Sequence, residues 1–285
     1  MLASSRTTNV LLILVLAAGI GIVAMLATSG RAGPLDPQGT PASTDSVRLP
    51  GTPISGQTTI SAPGHYYLTR NITVPGAATA ITITASNVSL DLGGFTIAGN
   101  DAVGSFGINV FGLVENIEIR HGTVRDFHFG LSTLGAAPAR LVDVHAVSNV
   151  RGMQVDARTS LLDCTSTGNT ETGIYLPNGA GLVRGCIVSF NAFDGISVSN
   201  FSTVVERSTM FANASANFNV YTNLRLGGGQ HHIARENVIP GGSVRIESTQ
   251  TAFVDNVCTN AVVIDTSSNP GSNIKAAPDH LNANC

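Results

Sequence analysis

The residues best suited to chemistry in this sequence are Asp143, His145 and Asp163. If Val144 and Cys164 face inward, the two carboxylates face outward from adjacent turns of the chain, about 4.8 Å apart. Stacked like charges repel each other unless a cation or a raised pKa relieves them. The pair therefore predicts a Ca²⁺ site at Asp143 and Asp163, or acid/base catalysis by Asp143, Asp163 and His145. The alternative is a solvated surface where water screens both charges.

That spacing depends on a repeat in the middle of the chain. A short motif that begins with Asn and ends in Gly-Ile or a similar residue pair recurs there. Its Gly position returns every 21 to 23 residues, at Gly107, Gly130, Gly152, Gly173, Gly195 and Asn217. A fixed period in this range indicates a solenoid, in which each coil buries its apolar face against the next coil.

A short alternating strand follows each Gly position, which predicts an inward and an outward column. The inward residues are Ile108, Leu131, Met153, Ile174, Ile196 and Phe218. The outward stripe is polar and uncharged, and its predicted binding residues are Asn109, Gln154, Tyr175 and Asn219. This stripe either hydrogen-bonds a polysaccharide or is simply a soluble sheet face. A second strand column is predicted at Val144, Cys164, Cys186, Ser208, Val238 and Val257.

About twenty residues per coil leave no room for a crossover helix, so the strands stack directly as parallel sheets. Gly and Asn at the corners suit the positive φ of sharp turns. These features predict an all-β, single-domain parallel β-helix.

Two early segments, residues 60–72 and 81–97, add a resemblance to a known group of proteins. Together with the repeats they resemble the right-handed parallel β-helix (pectate-lyase-like) superfamily, and in particular bacterial secreted "right-handed β-helix region" proteins. The resemblance covers residues 55 to 265. It implies a right-handed solenoid that serves as a lyase, a hydrolase, an epimerase or a non-enzyme, because one scaffold hosts many functions.

The ends of the chain predict export and capping. Residues 1–32 contain an apolar run, Val10–Ala27, followed by small residues at Gly30 and Ala32. They predict either a signal peptide or an uncleaved membrane anchor, and both place the body outside the cytoplasm. Residues 33–55 form a Pro/Gly/Ser/Thr-rich linker, and residues 56–265 form the β-helix. Within it, residues 56–100 supply the cap and first coils, residues 223–232 leave the stack as an inserted loop, and residues 266–285 form a tail.

Composition excludes some classes of protein. The net charge of −3 gives no basic surface for nucleic acid. The chain has no Trp and only 5% aromatic residues, which argues against a sugar-processing groove. Cys164 and Cys186 are predicted to stack as buried thiols, whereas Cys258 and Cys285 are predicted to form a disulfide in an oxidising compartment.

These observations predict a monomeric, secreted or cell-envelope protein that binds polysaccharide or another cell-surface component without catalysis. Any contact with a membrane is expected only through an uncleaved N-terminal segment. The alternative is a polysaccharide lyase or epimerase that acts on an acidic glycan. Ca²⁺ is the one cofactor that the sequence suggests.

Overall fold

A computed structural model of the chain describes residues 51–136, 138–214, 221–259, 262–265 and 274–276. These residues form short strands and no helix, so none of them builds a membrane-spanning helix. All strand pairs are parallel, and the strands wind into a right-handed β-solenoid. The predicted signal or anchor segment, residues 1–32, lies outside the described residues, as does nearly all of the predicted linker and of the tail.

Each coil contributes strands to an 18-stranded sheet that bends in the middle, and one strand to a ten-stranded sheet. The first leg of the bent sheet contains β1 (Thr52–Ile54), β3 (Gly64–Leu68), β6 (Val88–Asp91), β9 (Ile117–Arg125), β11 (Ala139–Val147), β13 (Ser160–Leu162), β16 (Leu182–Arg184), β19 (Val204–Glu206), β22 (Ile233–Arg235), β25 (Ala252–Val254) and β28 (Ile274–Ala276).

The second leg follows the bend. It contains the second halves of β9 and β11 together with β4 (Ile72–Thr73), β7 (Thr96–Ala98), β14 (Thr165–Thr167), β17 (Ile187–Ser189), β20 (Thr209–Phe211), β23 (Val238–Pro240) and β26 (Val257–Thr259).

The ten-stranded sheet closes each coil. It contains β2 (Thr58–Ile60), β5 (Thr79–Ile83), β8 (Phe106–Val110), β10 (Phe129–Ser132), β12 (Arg151–Gln154), β15 (Ile174–Leu176), β18 (Ile196–Val198), β21 (Leu224–Leu226), β24 (Ser243–Ile246) and β27 (Val262–Asp265).

The core lies inside the coils, where apolar residues of successive strands stack. The predicted inward residues Ile108, Leu131, Met153, Ile174 and Ile196 are all fully buried. Phe218 lies outside the described residues. Alternation therefore predicted correctly the five described inward residues of this column.

The bend between the two legs is made by one left-handed residue per coil. These residues have φ between 51° and 67°, and they are His121, Asp143, Asp163, Gly185, Arg207, Glu236 and Asp255. A left-handed conformation costs roughly 1–2 kcal/mol per residue for side chains other than Gly, and Asp and His are among those that tolerate it. The bend thus projects a line of mostly charged side chains outward.

A ladder of buried Asn side chains closes the corner between the second leg and the ten-stranded sheet. Asn149, Asn169, Asn191 and Asn213 each hydrogen-bond the next Asn of the series, and Asn213 bonds Asn223. Because every coil satisfies polar groups of its neighbour, the ladder fixes the register of the stack.

The glycines of the repeat serve close packing rather than turning. Gly107, Gly130, Gly152, Gly173 and Gly195 do not have positive φ, contrary to the sequence-based expectation for corner glycines. A Cβ on Gly173 would lie 2.5 Å from Asn191 Nδ2 and 2.8 Å from the Gly195 carbonyl oxygen. Gly is required there because the next coil leaves no space for a side chain.

Two register predictions fail in the later coils. Residues 223–232 are not simply an inserted loop, because Leu224–Leu226 forms β21 and Leu224 pairs with Ile196. The position predicted for Phe218 therefore belongs to Leu224. In the second column Val238 is 42% exposed, and the buried residue that follows the bend is Asn237. Likewise Asn256, and not Val257, occupies the next position of the buried column, where its Oδ1 accepts a hydrogen bond from Asn237 Nδ2.

Candidate functional site

A group of five interacting ionisable side chains lies on the outer surface of the first leg. We call it the ionic face and define it as Asp91, Glu118, Arg120, His121 and Arg140. Three successive strands supply these residues, since Asp91 pairs with Arg120, and Glu118 pairs with Arg140. Strand alternation turns these side chains away from the core, and coil stacking places them about 4.8 Å apart along the axis.

The side chains of the ionic face form a continuous chain of ion pairs. Arg120 Nε donates to Asp91 Oδ2 at 3.0 Å, and its Nη1 donates to Glu118 Oε1 at 3.2 Å. The other carboxylate oxygen of Glu118 accepts from Arg140 Nη1 at 3.1 Å. At the bend, His121 Nδ1 lies 3.3 Å from Asp91 Oδ1. Each carboxylate, guanidinium and imidazole group of the ionic face therefore contacts at least one other member of the network.

Asp91 anchors this network and is its least exposed member. Burial raises the pKa of Asp91, but the Gly93 amide and the Arg120 guanidinium outweigh it and hold the pKa below its usual value. Asp91 consequently stays ionised at neutral pH and orients Arg120.

A depression of about 340 Å³ borders the ionic face and gives a ligand access to it. Its lining includes Glu118 from the ionic face and His65, Ser89 and Asn116 beside it. His65 Nδ1 lies 3.3 Å from Ser89 Oγ. The depression thus joins acidic, imidazole, hydroxyl and amide groups on one surface.

The predicted catalytic residues continue the bend beyond His121. Asp143 and Asp163 occupy the bend in the next two coils, in adjacent registers, and His145 Nε2 lies 3.3 Å from Asp143 Oδ1. Glu118 lies outside this acid column, because it precedes the bend and pairs with Arg140. The structure brings Asp143 and His145 together and leaves their catalytic role a prediction.

The predicted Ca²⁺ ligands Asp143 and Asp163 lie at the bend in adjacent coils, and His145 is in contact with Asp143. Among the described residues, no group of three or more His, Cys, Asp or Glu side chains could hold a metal ion. Ca²⁺ takes six to eight oxygen ligands, so two carboxylates would leave most positions to water and backbone. The Ca²⁺ site stays a prediction.

The predicted polysaccharide stripe lies on a different sheet from the acids. Asn109, Gln154 and Tyr175 are half-buried on the outer face of the ten-stranded sheet, each in register with the same column. Asn219 lies outside the described residues. The column continues into Arg225 and Arg245, so its later part is charged, unlike the predicted stripe.

The cysteines separate into two groups. Cys164 and Cys186 are free and buried, as predicted for a stacked pair of thiols. Cys258 is disulfide-bonded. Cys285 lies outside the described residues, so its pairing with Cys258 stays a prediction.

Sequence reasoning missed Asp91, His121 and Arg140 as members of one site. The signal was present in Ser89-Leu-Asp91 and Ile117-Glu-Ile-Arg-His121, two alternating strands with polar outward residues. Relating them required the 29-residue offset between Asp91 and Arg120, which departs from the period of the later coils.

Comparison with known proteins identifies the scaffold. The family model described as "Right handed beta helix region" matches residues 64–210. No curated protein sequence matches the chain.

Two solved structures share the fold at low sequence identity. The Dettilon tailspike protein aligns with a TM-score of 0.52 at 13% identity, over 75% of this chain and 54% of its own length. The chain thus spans about half of that tailspike. The A-module of the mannuronan C-5 epimerase AlgE4 from Azotobacter vinelandii aligns with a TM-score of 0.49 at 11% identity, over 74% of this chain and 88% of the module.

Proposed function

The chain belongs to the right-handed β-helix family, and on this scaffold we propose that it is an exported, non-catalytic protein that binds a polysaccharide on its ionic face. The polysaccharide belongs to the cell envelope or its surroundings. The observation that carries the proposal is the continuous ion-paired row from Asp91 to Arg140 beside an open depression.

Such a row suits a ligand with many hydroxyl groups. Carboxylates accept two hydrogen bonds side by side, and guanidinium groups donate them in the same plane. The ion pairs fix these groups before the ligand arrives, which lowers the entropy lost on binding. A repeat of about 4.8 Å along the axis offers successive contacts to a linear chain.

The charges on and beside the ionic face indicate which kind of polysaccharide it prefers. Glu118, Arg120, Asp91 and Arg140 contribute two negative and two positive charges, and Asp143 and Asp163 add two negative charges nearby. This surface has no positive excess that would attract a polyanion. A hydroxyl-rich neutral glycan fits it directly, whereas an acidic glycan requires a bridging cation such as Ca²⁺.

A panel of immobilised polysaccharides tests the proposal. The purified protein is applied to dextran, a mixed-linkage β-glucan, polygalacturonate and polymannuronate, each with and without Ca²⁺. We expect retention on at least one polysaccharide and reduced retention of Arg140→Gln. Retention on none, or equal retention of Arg140→Gln, would refute binding at the ionic face.

An enzyme that acts on an acidic glycan is the second candidate. It is favoured by the two imidazole–carboxylate contacts at the bend, His121 with Asp91 and His145 with Asp143. An imidazole held by a carboxylate is suited to removing a proton, and a bridging cation such as Ca²⁺ would neutralise a substrate carboxylate. Ultraviolet absorbance of unsaturated products and NMR of the uronate configuration would reveal turnover, and its loss in His121→Ala or His145→Ala would assign the base.

Export is tested separately from binding. Mass spectrometry of the mature protein should find an N-terminus at Gly33 in the extracytoplasmic fraction if residues 1–32 are a signal peptide. A retained Met1 segment in the membrane fraction would indicate an anchor, and a cytoplasmic full-length chain would refute export.

A further inference from the structure

A second cavity, of about 540 Å³, lies at the corner where the ten-stranded sheet passes into the first leg. Two successive coils line it, with Asn200, Phe201 and Ser202 in one coil and Gly229, Gln230 and His231 in the next. It lies far from the ionic face. Glu118 and Ile233 occupy one strand column five coils apart, which corresponds to about 24 Å along the axis.

A buried residue, His232, connects the two coils that line this cavity by hydrogen bonds. His232 is fully buried, accepts a hydrogen bond from the Thr203 amide on Nδ1 at 3.2 Å, and contacts the Gly228 carbonyl oxygen through Nε2 at 3.1 Å. With Nδ1 accepting, the proton lies on Nε2 and is donated to Gly228. Burial lowers the pKa of His232, so the ring is neutral and keeps both bonds at neutral pH.

Backbone contact also fixes the relative position of the two coils. Gly229 has a φ of 61°, and a Cβ on it would lie 1.1 Å from the Asn200 carbonyl oxygen. Ser202 Oγ donates to the Gln230 carbonyl oxygen at 3.1 Å. The cavity is therefore formed before any ligand enters, which favours affinity.

The lining combines one apolar plane with uncharged polar groups. Phe201 is 67% exposed although the chain around it is hydrogen-bonded into the stack. Asn200 Nδ2 donates to the Pro177 carbonyl oxygen at 2.6 Å, so Asn200 can offer its Oδ1 as an acceptor to a ligand. The Gln230 amide and the His231 imidazole are exposed beside it. None of the six lining residues is Asp, Glu, Lys or Arg.

We propose that this cavity binds one uncharged pyranose ring, with the C–H face of the sugar on Phe201 and its hydroxyls on Asn200, Gln230 and His231. An aromatic surface with a few converging hydrogen-bonding groups is the usual composition of a small-molecule site. The absence of charge from the lining selects against uronates and sugar phosphates, because their charge would be desolvated without a partner. The site is independent of the ionic face.

Saturation-transfer NMR on the intact protein tests the site with the methyl glycosides of glucose, galactose, mannose and N-acetylglucosamine as probes. We expect at least one glycoside to receive saturation, strongest at the protons of one ring face. Phe201→Ala should reduce the transfer at least fivefold. Phe111→Ala is the matched control, because Phe111 is 66% exposed and, like Phe201, lies between a strand of the ten-stranded sheet and the next strand of the first leg.

Further variants separate binding at this site from misfolding and from a general loss of surface charge. Gln230→Ala should also reduce the transfer, and its thermal melt should match that of the parent. Arg207→Gln, which alters an ion pair outside the cavity and outside the ionic face, should leave the transfer unchanged. The proposal is overturned if no glycoside receives saturation, if Phe111→Ala loses as much as Phe201→Ala, or if Arg207→Gln loses as much as Phe201→Ala.

Discussion

Asn191 shows how single residues hold the stack in register. Its Oδ1 accepts from the amide and from Nδ2 of Asn169, at 3.1 and 2.7 Å. Its Nδ2 donates to Asn213 Oδ1 at 2.8 Å and to the Ser166 carbonyl oxygen at 3.1 Å. The side chain is fully buried, so water cannot replace any of these bonds.

Asn191→Ala should lower the free energy of unfolding by about 3 kcal/mol or more, because it leaves several buried polar groups unsatisfied at about 1–3 kcal/mol each. Urea denaturation followed by circular dichroism measures the change. Asn100→Ala is the control, since Asn100 is exposed and its loss should cost about 0.5 kcal/mol or less. Equal losses in the two variants would contradict a stabilising ladder.

Asp194 is a buried carboxyl group whose ionised form is disfavoured. Its side chain is 5% exposed, and burial raises its pKa despite hydrogen bonds from the amide and hydroxyl of Thr222. Ionisation therefore destabilises the fold above the folded pKa and costs nothing below the unfolded pKa of about 3.9.

Asp194→Asn should raise the Tm at pH 7 and leave it unchanged near pH 3, since Asn still accepts from Thr222 and carries no charge. Differential scanning calorimetry at both pH values measures this difference. Asp156→Asn should behave in the opposite way. Burial raises the pKa of Asp156, but hydrogen bonds from Asn178, Gly135 and Ala157 lower it overall, so its stabilisation is present at pH 7 and lost on acidification. The same pH trend in both variants would contradict this assignment.

The spacing of the repeat glycines was predictable from the sequence, but their role in packing was not. Their spacing predicted the coils correctly, because the period depends only on chain length per coil. The reason for Gly173, a close approach of Asn191 and Gly195, was not predictable, because the packing partners come from the next coil.

At the scale of elements, the bend determines which charges meet. The predicted adjacency of Asp143 and Asp163 follows from a regular period between those coils. Two steps are longer than this period, from Asp91 to Arg120 and from Ile196 to Leu224. The second long step made the sequence-based register wrong. Asn217 stands at the spacing of the repeat, but Leu224 is the residue that pairs with Ile196. Glu236 and Asp255 also lie at this bend. They were not predicted there from the sequence, because the register of the later coils is shifted.

Millimolar Ca²⁺ should raise the Tm by mass action if Asp143 and Asp163 share a cation. Asp163→Asn should remove that rise. Glu236→Gln is the matched control, because Glu236 occupies the same bend but is paired with Arg207 Nε at 2.6 Å. Thermal shift in the presence of Ca²⁺ or Mg²⁺ makes the comparison. A rise that persists in Asp163→Asn would place the cation elsewhere.

At the scale of the whole molecule, the solenoid is a long scaffold with separate surfaces. The core is continuous, and its inward positions from Ile108 to Ile196 were predictable from alternation within single strands. The positions predicted at Val238 and Val257 were wrong, because the register of the later coils is shifted. The ionic face was not predictable as a unit, because Asp91, Arg120 and Arg140 belong to different coils. It depends on the exact stacking of the early coils, where the period is irregular.

Isothermal titration calorimetry measures whether a polysaccharide binds on the ionic face. The polysaccharide that retains the protein is titrated into the parent, Arg120→Gln and Arg207→Gln. Neither arginine is buried in its ion pair, so both variants should stay folded. We expect Arg120→Gln to bind at least tenfold more weakly than the parent. Arg207→Gln alters an ion pair outside the ionic face and should bind like the parent. Equal affinity of Arg120→Gln and the parent would show that the polysaccharide does not bind on the ionic face.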